Sequence, residues 1–158
     1  MPEFSSVVAN AGISRSEDTA AEGWDASVAQ SVVETNIMGV LRVTAAFLPL
    51  LKKRQSATIM ATSSNLALIP RADLPTYCAS KAFLHSWLQS LRHQLRKMPV
   101  EVLELSPPYV QTELTGGHQV TDPRAMPSLP MWRRRCNCWK RETIPEERCW
   151  SNAIALDA

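Results

Sequence analysis

Tyr77 and Lys81 stand four residues apart, a spacing that puts both on one face of a helix. A free phenol titrates near pH ~10, too high for useful proton exchange at neutral pH, and a nearby ammonium favours the phenolate. Ser64, thirteen residues before Tyr77, offers a hydroxyl that could hydrogen-bond a polarised oxygen. Asn36 is a polar residue amid apolar neighbours. Proton transfer to or from an oxygen is the chemistry this set suits. Each member also has an ordinary reading: a surface pair, a satisfied structural amide, and, for Asn10-Ala11-Gly12, a plain turn. Their joint order on the elements below is what gives them weight.

Those elements follow from periodicity. Ser6–Asn10 is a β-branched apolar run that reads as a buried strand leading into a loop. From Trp24 to about Leu51, Val28, Val32, Val33, Ile37, Val40 and Leu41 recur at helical spacing, with Asp25 as N-cap and Lys52-Lys53-Arg54 suiting a helix C-terminus. Ala57–Thr62 reads as a second strand, and Thr76 to about Lys97 as a second long helix whose apolar face is Leu84, Trp87, Leu88, Leu91 and Leu95. Val100–Leu105 alternates like a third strand. Strand, helix, strand, helix, strand is an α/β order whose connections imply a parallel sheet. Ligands gather beyond the C-terminal strand ends of such sheets. A site built from Asn10–Gly12, Ser63-Ser64 and Ser106–Pro108 is therefore expected.

With these residues in place, the chain resembles the short-chain dehydrogenase/reductase family over roughly residues 5–127. Asn10-Ala11-Gly12 resembles the family's Asn-Asn-Ala-Gly element, with Ala9 where the first Asn would stand. Thr35-Asn36-Ile37 is similar to the helix motif whose Asn holds a water in the proton relay. Met60–Ser64 resembles the strand carrying the catalytic Ser, and spacing to the Tyr favours Ser64 over Ser63. Tyr77-Cys78-Ala79-Ser80-Lys81 matches Tyr-x-x-x-Lys. Ser106–Thr112 resembles the Pro-Gly-x-Val-x-Thr segment near the nicotinamide, with Pro108 replacing the Gly and removing a backbone donor. More loosely, the Ser-Pro-Pro-x-Val-Gln-Thr wording resembles bacterial-type reductases of the D-alanine-esterification subgroup.

The resemblance implies a partial Rossmann-like, doubly wound parallel sheet and hydride transfer between NAD or NADP and a small carbonyl or alcohol. It implies Tyr77 as proton donor or acceptor, lowered in pKa by Lys81, with Ser64 orienting the substrate oxygen and Asn36 anchoring the relay water. Asn10, Ala11, Gly12, Tyr77, Lys81, Pro107, Val110 and Thr112 would lie along the cofactor. It further implies a homo-oligomer through the two long helices, and a mobile lid over Glu113–Gln119 to which Gly116-Gly117 would lend flexibility.

Composition sets the remaining bounds. The chain has 158 residues, 45% of them hydrophobic and 20% charged, which fits one folded domain rather than a disordered chain. Seventeen Lys+Arg against fifteen Asp+Glu leave no nucleic-acid footprint. Unbroken apolar runs fall short of a membrane span. Met1–Phe4 lacks a basic start and an apolar h-region, so no secretory signal is expected. Four cysteines without a framework spacing suit a reducing cytoplasm.

Glycine is the telling count. Its five positions, 12, 23, 39, 116 and 117, make no Gly-rich phosphate turn. The expectation is an N-terminally truncated domain over 1–127 that would bind the dinucleotide weakly or not at all, and whose alternative reading is an inactive fragment with at most a binding role. Over 128–158 the texture changes: Trp132, Cys136, Cys138, Trp139, Cys149 and Trp150 are six of the nine Trp and Cys residues. A frameshifted or disordered tail fits this better than a metal site, because Cys136, Cys138 and Cys149 are irregularly spaced, or a basic patch at Arg133–Arg135.

Overall fold

The computed structural model describes residues 4–127. They divide between two compact units, the first ending at Leu105 and the second beginning at Ser106. The tail from 128 onward lies outside the described residues.

The first unit is a three-stranded parallel sheet with helices. Strand β1 is Ser6–Ala9, β2 is Ala57–Thr62 and β3 is Val100–Leu105, hydrogen-bonded in the order β1-β2-β3. The register sets Ser6 beside Thr58 and Ala57 beside Val100. Alternation along β2 buries Ala57, Ile59 and Ala61 on one face. That face joins Val40 and Leu51 with Leu84, Leu88, Leu91 and Leu95 in a single core cluster. Leu84 has no solvent exposure. Leu84→Ala is therefore expected to cost about 2–5 kcal/mol, read as a lowered urea midpoint at unchanged slope.

The first long helix runs unbroken from Ser27 to Leu51. It consists of α1 (Ser27–Val33), a π-helical turn over Glu34–Met38, and α2 (Gly39–Leu51). Its cap differs from the expectation. Ala26 occupies the N-cap position, while Asp25, one place earlier, accepts the Ser27 N–H at 2.8 Å. The Ser27 side chain first, and its N–H second, hold the Asp25 carboxyl below its ordinary pKa. By length and composition alone this helix is long and apolar enough to cross a bilayer, although short polar breaks interrupt its apolar residues. Its buried side, Val32, Asn36, Val40, Thr44 and Leu51, places a carboxamide in the interior, and α2 packs on β1 and β2.

Helix α3 spans Pro75–Leu95. Pro75 opens it with φ already suited to a helix, and Arg92 and His93 close it with basic groups at the negative end of the dipole. Leu74, the cap residue, supplies no side-chain bond to the free N–H groups.

In the second unit Val110 bridges to Met126 in parallel, and a short helix, α4, covers His118–Thr121. Gln119 is buried; it donates to the Val110 carbonyl at 2.6 Å and accepts from the Thr115 N–H at 2.9 Å. The segment expected as a lid is thus pinned at its end by one side chain. Gly116 has φ 113°, a conformation that a side chain would strain.

Candidate active site

The loop after β1, the end of β2 and the first turns of α3 converge within the first unit. Asn36 organises the meeting. It has no solvent exposure, and its Nδ2 donates to the Ile13 carbonyl and to Ser80 Oγ, each at 3.0 Å. Its Oδ1 accepts the Ile13 N–H at 2.9 Å. Both amide hydrogens are therefore spent on holding the β1 loop against α3. Ser80 passes the connection on by donating to the Tyr77 carbonyl at 2.7 Å. The π-helical turn carries Asn36, and such turns often coincide with functional positions.

Gly12 lies where a Cβ would stand 3.4 Å from Asn36 Oδ1 and 3.5 Å from Lys81 Nζ. A Cβ there would make ordinary van der Waals contact with both polar atoms. Asn10 Oδ1 accepts from Thr62 Oγ1 at 2.7 Å, which ties the end of β1 to the end of β2. Ala11 is exposed between them.

Lys81 is 4% exposed, and its Nζ donates to the Thr62 carbonyl at 2.8 Å. Burial lowers its pKa to about 8. The ammonium lies 5.6 Å from the Tyr77 ring centre. Tyr77 is itself buried, which pushes the phenol above its ordinary value, while a side-chain hydrogen bond with Ser64 works in the opposite direction. This corrects the expectation for the pair. Burial outweighs any lowering of the phenol, and the partner that counters it is Ser64, because Lys81 is turned to the Thr62 carbonyl. Ser64 Oγ also accepts the Leu66 N–H at 3.2 Å, starting a short 3-10 turn over Asn65–Ala67. The neighbouring Ser63 is buried, and its hydroxyl donates to the Lys81 carbonyl at 3.4 Å.

The structure thus brings together Asn10, Gly12, Asn36, Ser64, Tyr77 and Lys81. Pro107, Val110 and Thr112 belong to the second unit, where Pro107 is half-buried, Val110 is buried and Thr112 is exposed. Sequence reasoning missed Ile13, Thr62 and Ser80 as supports, because their contribution is a backbone carbonyl or a contact 44 residues distant. Among the described residues no group of His, Cys, Asp or Glu could hold a metal ion.

The short chain dehydrogenase profile matches residues 1–122. The chain belongs to the short-chain dehydrogenase family. An uncharacterized oxidoreductase, DltE, of Bacillus subtilis (strain 168) is 41% identical to this short-chain dehydrogenase over 113 residues, covering 72% of the chain and 45% of the relative. A short chain dehydrogenase from Burkholderia cenocepacia J2315, solved in complex with NADP, superposes with a TM-score of 0.68 at 25% identity over 78% of this chain and 51% of that one. An alcohol dehydrogenase from Thermococcus sibiricus complexed with 5-hydroxy-NADP shares the fold, with a TM-score of 0.73 at 22% identity over 88% of this chain and 58% of that one. The chain spans about half the length of the curated relatives it matches.

Proposed function

We propose that this polypeptide carries the proton-transfer site of an NAD(P)-dependent oxidoreductase acting on a small carbonyl or alcohol. One observation carries the reading: a buried phenol, Tyr77, near enough to Ser64 for that side chain to oppose the effect of burial, and flanked by the buried Lys81 ammonium. Ser64 orients the substrate oxygen beside the phenol. Tyr77 gives that oxygen a proton in reduction and takes one in oxidation. Asn36 fixes the β1 loop against α3.

Gly12, packed beside Lys81 Nζ, is proposed to face the ribose and nicotinamide end of a dinucleotide. Asn10 and Ala11 are the further residues of the first unit proposed to line it. When bound, the cofactor supplies the hydride, while the protein supplies position and proton. The pyrophosphate end has no matching Gly-rich turn in the 158 residues. A second reading draws on that: a catalytically silent polypeptide with at most a binding role.

Fluorescence titration with NADH and NADPH separates the two: saturable micromolar binding supports the oxidoreductase reading, and no saturation leaves the silent one. A cytoplasmic setting and self-association through α1–α2 and α3 complete the proposal.

A further inference from the structure

We infer that Glu17 is a positioning residue for Tyr77, acting across the fold as the missing cap of the helix that carries it. Helix α3 lacks a side-chain cap of its own, since Leu74 stands at the N-cap position. Glu17, distant in sequence, fills that role. Its Oε1 accepts the Thr76 N–H at 3.3 Å and its Oε2 accepts the Thr76 hydroxyl at 3.0 Å. Its own N–H donates to the Asp73 carbonyl at 3.1 Å, fixing the approach to the helix as well as its first turn. The residue is 8% exposed, so this carboxylate is held inside rather than offered to solvent. A carboxylate at a helix N-terminus is also favoured by the dipole.

The location gives the contact its meaning. The segment after β1 touches α3 twice: Ile13 through Asn36 to Ser80, and Glu17 to Thr76. Ser80 immediately precedes Lys81, and Thr76 immediately precedes Tyr77. The two clamps therefore hold the residue before each member of the pair. Without the Glu17 clamp the first turn of α3 is free to fray, and the Tyr77 hydroxyl loses its fixed place beside Ser64.

The inference rests on the proposed role of Tyr77, so the decisive measurement is independent of turnover. Phenol ionisation is followed by ultraviolet difference absorbance in the full chain carrying Tyr109→Phe, which leaves Tyr77 as the one tyrosine. In that background Glu17→Ala moves the Tyr77 titration back toward 10, as burial at the helix tip is relaxed. Glu17→Gln, which keeps one acceptor for Thr76, recovers part of the parent value. A Glu17→Ala titration that superimposes on the parent, with a lowered melting temperature, overturns the inference and leaves Glu17 a purely structural cap. If Glu17→Ala does not fold, Thr76→Val, which removes the hydroxyl alone, must shift the titration in the same direction, and an unshifted curve is equally fatal. In any preparation that turns over, kcat falls about tenfold with KM unchanged, as misplacement of a reacting group requires. A moved phenol without turnover would count against the oxidoreductase reading alone.

Discussion

Tyr77→Phe keeps the fold and removes turnover from any preparation that shows it. The ring is buried at 5% exposure, and phenylalanine retains that packing while deleting only the hydroxyl. Ser64 Oγ is not orphaned by the change, since it still accepts the Leu66 N–H. Loss of a positioned general acid–base group costs about 10²–10⁴-fold in rate. Stability should move far less, because a desolvated polar group leaves together with its hydrogen bond. The check is paired: turnover against the parent, and the thermal melt of the same samples. Retained turnover would remove the assignment of Tyr77, whereas lost turnover with a collapsed melt would show only that the ring is needed for packing.

Lys81→Met should make the protein more stable and the site useless. The folded state lowers the Lys81 pKa from 10.5 to about 8. Below pH 8 the side chain is charged in both states, so the folded protein bears the full cost of burying it, about 3 kcal/mol. Between 8 and 10.5 the unfolded chain binds the proton more tightly, and parent stability rises with pH. Above that range both states are neutral and the cost is gone. Methionine avoids the charge but forfeits the bond to the Thr62 carbonyl, worth about 1 kcal/mol. A net gain of about 2 kcal/mol is expected near neutrality. It should shrink as pH climbs through 8 to 10.5 and reverse beyond it. Denaturant melts of both proteins across this range test the prediction, and a parent more stable than the variant at pH 7 would refute it. Turnover should fall with the variant at every pH.

Much of this arrangement could be read from residue order. Strands β2 and β3 begin and end where the sequence places Ala57–Thr62 and Val100–Leu105. The Tyr77–Lys81 pair is local to one helix, so its spacing alone sets the shared face. The supports were hidden for a different reason. Glu17 meets Thr76 across 59 residues, and no local pattern reports a pairing that forms only when the sheet does. The sign of the Tyr77 shift was illegible as well. Spacing places Lys81 near the ring, but burial and the direction of its Nζ decide whether the phenol benefits, and both are tertiary facts.

The π-helical turn at Glu34–Met38 has a consequence for winding. In a regular α-helix of 3.6 residues per turn, the eight steps from Val32 to Val40 would leave the two side chains about 80° apart around the axis. Both are nonetheless buried. The wider turn absorbs one surplus residue without the rotation that residue would normally add, so α1 and α2 stay in phase on either side of Asn36. Lengthening the helix by one position in this way is a local event: everything before and after keeps its facing, and only the five residues around the carboxamide are rewound. A polar group can thus be seated in the middle of an apolar helix without turning either half away from its neighbours.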